Sequence, residues 1–238
     1  MIIRTAVAVI GLLALPSSAQ GLVQIVLSGA IAQEGGARVE VDLRYEARAG
    51  NAVGEGGVQL GLHLANHTTA AELGLLLARE LERTGALVIA PRELGSDPKR
   101  ASIFVDRVHF AALRLGRGLS GDVCSTEEAP ALVRILPPKE AKEEASFLLS
   151  ASHEHPHTKD RGRFELAVQF AAGLSGEQAS DLVTTSALNK GWPGQWVDHR
   201  AWRPQALATG ARVTGACVAL RTKGDWRIEV ELERDTAR

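Results

Sequence analysis

Aromatic residues and cysteines are scarce in this chain, and each scarcity excludes a class of protein. Phe, Trp and Tyr together make up 4% of the 238 residues, and there are two cysteines. Two cysteines exclude a disulfide-dense miniprotein, and without a C-x-x-C pair there is no motif for thioredoxin-like redox chemistry or a cysteine-based zinc site. The hydrophobic content of 45% is that of an ordinary globular protein, so we expect a packed core.

An excess of charge of either sign is also missing. Lys and Arg number 27 against 28 for Asp and Glu, a formal net charge of -1. Proteins that bind the phosphate backbone normally carry a basic excess, so no nucleic-acid partner is predicted. The sequence contains no Walker A loop, no G-x-G-x-x-G after a strand, no H-E-x-x-H pair and no complete G-x-S-x-G. Nucleotide-dependent chemistry, zinc proteolysis and serine hydrolysis are therefore without a motif.

Long apolar runs are absent except at the start of the chain. Residues 6–15 (AVAVIGLLAL) follow Arg4, and small residues precede Ala19. This arrangement is typical of a signal peptide, because the run is about half the length of a membrane-spanning helix, which needs roughly twenty residues. We expect residues 1–19 to be cleaved, no membrane span in the remainder, and a secreted or periplasmic location.

Export changes the interpretation of Cys124 and Cys217, because thiols in an oxidising compartment tend to pair. Only one intramolecular pairing is available, and we predict a disulfide between these two residues. The alternative is two unrelated buried thiols, since a sequence does not show whether two Cβ atoms approach each other.

A strand, a helix cap and a helix follow one another in the first half of the chain. Apolar and polar residues alternate over residues 58–64, which indicates a half-buried strand. Thr69 and Glu72 then form a capping box, in which each side chain accepts a hydrogen bond from the other residue's backbone N–H. The helix that begins there is predicted to end at Gly85, because glycine readily adopts the left-handed conformation at a helix end.

The same succession recurs about 106 residues later in the chain. Alternation over residues 164–170 precedes a second capping box, Ser175–Gln178, and a helix predicted to end at Gly191. We infer two similar halves, residues 20–125 and 126–238, that pack as one body. The alternative is coincidence, because strand-helix-strand units are common.

These patterns together predict an α+β fold with mainly antiparallel sheets and a few helices packed on one face. Residues 24–31 and 38–46 predict a hairpin ahead of the first unit. The glycine-rich residues 46–57 predict a loop, and the charged residues 139–150 predict a short helix.

Three of the seven histidines lie close together, at His153, His155 and His157. On an extended backbone these alternate side chains share one face, and three imidazoles with an open position suit zinc or copper. Pro156 works against this geometry, because a polyproline-like turn would splay the side chains apart. We favour a solvated loop and no cofactor, and keep zinc or copper as the alternative hypothesis.

Tryptophan is concentrated near the end of the chain. The candidate ligand contacts in this region are Trp192, Trp196, Asp198, His199, Trp202 and Arg203. Exposed aromatic rings beside hydrogen-bonding groups are typical of sugar and peptide sites, because indole offers a rigid apolar face. The alternative, which we favour, is that the tryptophans hold an irregular loop against the sheet.

Two classes of function are compatible with the sequence. The first is an exported, non-catalytic binding or structural module of the cell envelope or its surroundings, with an unidentified protein or carbohydrate ligand. The second is a secreted hydrolase or metal-binding protein that uses Asp198 and His199, or the histidines of residues 153–157 with a carboxylate such as Asp160. The lack of catalytic motifs favours the first class and argues against an enzyme.

Overall fold

The structure, a computed structural model, contains two antiparallel seven-stranded sheets and two helices in its described part. The described residues are 22–49, 52–86, 88–89, 97–125, 130–136, 144–192, 194–197, 201–203, 210–222 and 226–232. The predicted signal peptide lies outside them. Within these ranges no helix combines the length and the hydropathy needed to cross a bilayer.

The two sheets draw their strands from both halves of the chain. In order across the sheet, sheet A consists of β11 (Gln195–Val197), β12 (Ala201–Arg203), β8 (Pro130–Leu136), β14 (Arg227–Leu232), β6 (Val108–Arg114), β2 (Ala37–Ala49) and β3 (Ala52–Leu64). Sheet B, likewise in order, consists of β10 (Arg161–Phe170), β9 (Ala145–Glu154), β13 (Arg212–Thr222), β7 (Leu119–Ser125), β1 (Val23–Gly29), β5 (Arg100–Val105) and β4 (Val88–Ile89).

Alternating apolar and polar residues turn one face of each sheet toward a shared core. In β2, Val39 and Val41 are fully buried, while Glu40 between them points away from the core. The two sheets meet at Gly121 of β7, where a Cβ atom would lie only 3.2 Å from Cδ1 of Leu113 in β6. The fold is therefore a β-sandwich, held together by apolar residues from both sheets.

The prediction of antiparallel sheets is confirmed, but the chain has more strand than the α+β prediction implied, and its helices do not form a layer on one face. Helix α1 (Ala70–Arg83) contacts β1, β4 and β5 of sheet B. At its end, the hydroxyl of Thr84 is hydrogen bonded to the phenol of Tyr45 in sheet A. Burial raises the pKa of Tyr45, and the bond with Thr84 and the charge of Arg83 partly offset this. Helix α1 therefore closes one open edge of the sandwich.

Helix α2 (Gly176–Asn189) lies at the opposite edge. It contacts β10 of sheet B, and the chain leaving it places Trp192 between Phe164 of β10 and Trp202 of β12 in sheet A. A β-sandwich exposes its core along the sides where the outer strands end. The two helices cover the apolar residues at these sides.

Three local predictions are wrong. Residues 24–31 and 38–46 do not form a hairpin, because β1 pairs with β5 and β7 in sheet B while β2 pairs with β3 and β6 in sheet A. Much of the predicted loop at residues 46–57 is strand, since Gly56 lets the Tyr45 ring lie against the backbone, where a Cβ would be 2.6 Å from the ring. Of the predicted helix at residues 139–150, the part from Ala145 onward is β9.

The order of elements is the same in the two halves of the chain, with the sheets exchanged. Counted from opposite ends of the two sheets as ordered above, each strand from β1 to β7 has the same position in its sheet as the strand seven places later has in the other sheet. Helix α1 lies between β3 and β4, and α2 lies between β10 and β11. The division into residues 20–125 and 126–238 stays a prediction, and this repeated order is what such a division would produce.

Both predicted capping boxes are confirmed. The backbone N–H of Glu72 donates to the Thr69 hydroxyl, and the backbone N–H of Thr69 donates to the Glu72 carboxylate at 2.7 Å. Ser175 and Gln178 form the same pair of bonds at α2. Each helix is followed by a glycine with positive φ, +84° at Gly85 and +60° at Gly191.

Removing either cap hydroxyl is expected to destabilise the protein by about 1 kcal/mol, because Thr69→Ala or Ser175→Ala leaves a backbone N–H at the helix start without its acceptor. Urea unfolding of the purified variants measures this. Thr69→Ser keeps the hydroxyl and serves as the control, with an expected change of a few tenths of a kcal/mol. Equal losses for Thr69→Ala and Thr69→Ser would show that the hydroxyl contributes nothing.

The predicted disulfide between Cys124 and Cys217 is confirmed. The two residues are direct cross-strand partners in β7 and β13, at the centre of sheet B, and their side chains point away from the core. The bond therefore joins a strand from the first part of the chain to one from the second part.

Candidate functional site

Of the three histidines predicted as metal ligands, His155 and His157 lie near each other, with ring centroids 5.8 Å apart, and His153 is held elsewhere. The ring of His153 is half-buried, with its centroid 4.8 Å from that of Phe164. His155 lies in a turn, where its Nδ1 accepts hydrogen bonds from the backbone N–H groups of His157 and Thr158. Among the described residues, no group of three or more His, Cys, Asp or Glu side chains is placed to hold a metal ion.

Charged neighbours of the histidine turn pair with one another. Glu154 lies within 2.8 Å of Arg161 and 3.5 Å of Lys159, and the hydrogen bond from Arg161 is the main cause that lowers the pKa of Glu154. The Asp160 carboxylate accepts a hydrogen bond from the Thr158 hydroxyl at 2.6 Å. These bonds stabilise the β9–β10 turn and leave Asp160 bound to a threonine.

The tryptophans of the second candidate site are mostly packed. Trp202 is fully buried and Trp192 is 7% exposed, with their rings edge to face at 5.6 Å. Trp196 is half-buried opposite Trp202 in β11, and Arg203 is exposed. The packing supports the alternative in which tryptophans anchor the loop, since two of the three rings have little surface left for a ligand. Asp198 and His199 lie outside the described residues.

A concavity on the outer face of sheet A was not anticipated from the sequence. It has a volume of about 440 Å³, within the range typical of small-ligand sites. Strands β2, β3, β6 and β14 line it, at the end of the sheet remote from the tryptophans. Its polar lining residues are Arg38, Glu40, Asp42, Gln59, His63, Arg114 and Arg227.

Two small residues account for the depth of the concavity. Gly61 of β3 lies opposite Glu40, and Ala112 of β6 lies opposite Asp42, all with the outward orientation. A Cβ atom built on Gly61 would meet no other atom within 4 Å, so the space above it is open. Longer side chains on the neighbouring positions rise around this floor.

Ion pairs fix the positions of the side chains that form the walls of the concavity. Glu40 lies 2.8 Å from Arg38 and 3.6 Å from Arg114, so one carboxylate is shared by two guanidinium groups. Arg227 pairs with Glu229 on its own strand at 2.8 Å. These contacts hold the long side chains in place while the concavity offers guanidinium, imidazole and amide donors beside carboxylate and amide acceptors.

The concavity is lined by hydrogen-bonding side chains, among them the carboxylates of Glu40 and Asp42 and the imidazole of His63. Among the described residues that line it there is no serine, threonine or cysteine to act as a nucleophile. Donors and acceptors alternate over a small area, an arrangement that matches a ligand carrying several hydroxyl groups, each able to donate and to accept.

The sequence contains only part of the signal for the concavity on sheet A. Alternation placed Gln59, Gly61 and His63 on the outward face of one strand, and a glycine among longer polar residues marks a gap in that face. Arg114 and Arg227, however, come from distant strands. Their position beside β2 depends on the order of strands in sheet A, which local patterns do not determine.

Comparisons with known proteins assign no family to the chain. No known protein family matches the chain, and no curated protein matches it. Among solved structures, one described as a carbohydrate-binding module of the β-sandwich superfamily is 9% identical over 96% of each chain, with a TM-score of 0.23. At this TM-score the similarity assigns neither a fold nor a ligand to the present chain.

Proposed function

We propose that this protein is an exported, non-catalytic binding module that holds a carbohydrate in the concavity on the outer face of sheet A. The observation that carries the proposal is the concavity itself, where hydrogen-bonding side chains of both kinds surround an open floor at Gly61. Saccharides present closely spaced hydroxyl groups, which such a lining can bind in pairs.

Export is supported by two features. The first nineteen residues carry the charge, apolar run and small residues of a signal peptide. The disulfide between Cys124 and Cys217 is of a kind that persists mainly in oxidising compartments. The proposed location is therefore the periplasm or the extracellular space.

Binding is a better-supported role than hydrolysis. The hydrolase hypothesis used Asp198 and His199, which lie outside the described residues, or the histidines of residues 153–157. Of these, His153 packs against Phe164, and the Nδ1 of His155 accepts backbone hydrogen bonds. The concavity, by contrast, has defined walls and an open floor. A ligand there would lie far along sheet A from the tryptophans, so both features can serve the protein independently.

Filling the concavity tests the proposal. Gly61→Val places a branched side chain in the open space, and we expect affinity for saccharide ligands to fall about ten- to hundredfold, the scale of a steric overlap of 1–3 kcal/mol. Gly57→Val is the matched control, because Gly57 lies on the same strand and face but does not line the concavity. Valine suits a strand at both positions.

Isothermal titration calorimetry against a panel of neutral and acidic oligosaccharides gives the result. Binding by the wild type and by Gly57→Val, with loss in Gly61→Val, supports the proposal. No binding to any member of the panel, or equal affinity in both variants, overturns it. Release of reducing ends from a bound oligosaccharide overturns the non-catalytic part.

A further inference from the structure

Two side chains of like charge lie opposite each other in the lining of the concavity. Arg114 of β6 and Arg227 of β14 are direct cross-strand partners, and both line the concavity. Like charges directly opposite each other destabilise a sheet. On the same face Arg114 also lies opposite Glu40 of β2, and Arg134 lies opposite Glu229, whereas Glu46 and Glu55 form a second like-charged pair outside the concavity.

One glutamate of β14 pairs with Arg227 along the strand, since Glu229 lies 2.8 Å from the Arg227 Nε, but none lies across the β6–β14 pair from Arg114. Glu229 and Glu231 are opposite the uncharged Ala112 and Phe110 of β6. The β6–β14 pair therefore places two arginines side by side in the lining of the concavity.

The arginines of the concavity share few carboxylates. Three arginines and two carboxylates line it; Glu40 is shared by Arg38 and Arg114, and Arg227 pairs with Glu229 beside the lining. The Nε of Arg114 is buried and has no hydrogen-bond partner in the described part of the chain. A buried donor without a partner is costly, while the Arg114 side chain as a whole is 37% exposed and so is accessible to a ligand.

We propose that the carbohydrate is acidic, with the carboxylate of a uronic acid residue bound between Arg114 and Arg227. A guanidinium group presents parallel N–H donors whose spacing matches the two oxygens of a carboxylate. Two such groups facing each other across neighbouring strands form an anion-binding pair. Asp42 and Gln59, lining the same concavity, then accept hydrogen bonds from the hydroxyl groups of the sugar.

The inference rests on the proposed function and explains why a binding face would keep two opposed arginines. It also predicts how the affinity depends on salt. Partly exposed ion pairs are screened at high ionic strength, so binding of the acid weakens as salt increases while binding of a neutral saccharide changes little.

The test uses oligogalacturonate and the same oligomer with its carboxylates methyl-esterified, so that the charge is removed and the sugar backbone is kept. We expect the wild type to bind the acid about ten- to hundredfold more tightly than the ester, the range for hydrogen bonds to charged groups. Arg114→Gln and Arg227→Gln should each remove most of this preference and leave affinity for the ester nearly unchanged. Alginate oligomers extend the test to a second uronic acid.

Arg44→Gln is the matched control. Arg44 lies on the same face of sheet A, pairs with Asp42 at 3.9 Å and does not line the concavity. Its replacement should leave the preference for the acid intact. Loss of preference in Arg44→Gln equal to that in Arg114→Gln would show a diffuse charge effect and overturn the assignment to the arginine pair.

Gly61→Val separates failure of this inference from failure of the proposed function. If acid and ester bind equally and Gly61→Val weakens both, the concavity binds saccharide and the inference about charge is wrong. If the acid is preferred but Gly61→Val has no effect, the site lies elsewhere and both are wrong. If neither oligomer binds, and heparin-type sulfated oligomers bind instead, the carboxylate assignment is overturned.

Discussion

Replacing both cysteines with serine, in Cys124→Ser/Cys217→Ser, is expected to lower the free energy of unfolding by about 4–5 kcal/mol. The bond joins residues separated by 93 positions, so its removal frees a long loop in the unfolded chain. Loop-closure entropy grows with the logarithm of loop length and gives this figure for a loop of about that size. The loss is a large part of the roughly 5–15 kcal/mol that is typical of a globular protein.

The folded sheet itself should tolerate this change. Cys124 and Cys217 are half-buried on the outward face of sheet B, where Ser150 is the cross-strand neighbour of Cys217, so two further hydroxyls are compatible with the surroundings. The pairing of β7 with β13 is also held by its own backbone hydrogen bonds. The effect is therefore expected in the unfolded chain, with native circular dichroism preserved below the transition.

Urea unfolding followed by circular dichroism measures the difference. Wild-type protein reduced with dithiothreitol is the control, and it should unfold at the midpoint of the double variant. A loss below about 1 kcal/mol would mean that the unfolded chain retains contacts which keep the loop closed without the bond. Saccharide binding under native conditions should be the same in both proteins, because the concavity lies on the other sheet.

The elements of the fold that depend on neighbouring residues could be predicted. Thr69 with Glu72, and Ser175 with Gln178, identified both helix starts, because a capping box is satisfied within four consecutive residues. Alternation over residues 58–64 and 164–170 indicated two strands for the same reason. In each case the physical cause is a contact between residues adjacent on the helix or strand.

The pairing of strands could not be predicted in this way. The hairpin expected between residues 24–31 and 38–46 does not form, because the two strands belong to different sheets. Each strand buries one face in the shared core, and which sheet it joins depends on strands elsewhere in the chain. The sequence predicts a helix where the strand from Ala145 lies, because the charged residues just before it obscure the alternation of buried and outward-facing residues. Phe147 and Leu149 are buried, and Leu148 between them faces outward.

The candidate site shows the same limit. The sequence placed hydrogen-bonding residues on the outward face of two strands but could not tell that Arg114 and Arg227 would stand opposite each other beside them. It also offered exposed tryptophans as one ligand hypothesis. Indole rings next to polar residues have the same sequence signature whether they are exposed or pack under a loop, and only the fold separates the two.

Trp202→Ala is expected to lower the free energy of unfolding by about 3–5 kcal/mol, the usual loss for a large aromatic side chain removed from a core. Trp202 is fully buried, lies opposite Val133 in β8 and packs edge to face against Trp192. Gly194 lies so close to the indole that a Cβ there would be 2.1 Å from its Nε1. Removing the ring leaves a cavity lined by all of these groups.

Trp196→Ala provides the comparison, because Trp196 is half-buried in the adjacent strand and should lose clearly less. Trp202→Phe keeps an aromatic ring and stays measurable if the alanine variant does not fold. Chemical unfolding gives the stability, and calorimetry with saccharide gives the affinity. Because the ring faces the core and the concavity opens on the outer face of the other end of sheet A, Trp202→Phe should lose stability without losing affinity. If folded Trp202→Phe binds saccharide clearly more weakly than the wild type, the tryptophans belong to the ligand site and this prediction is wrong.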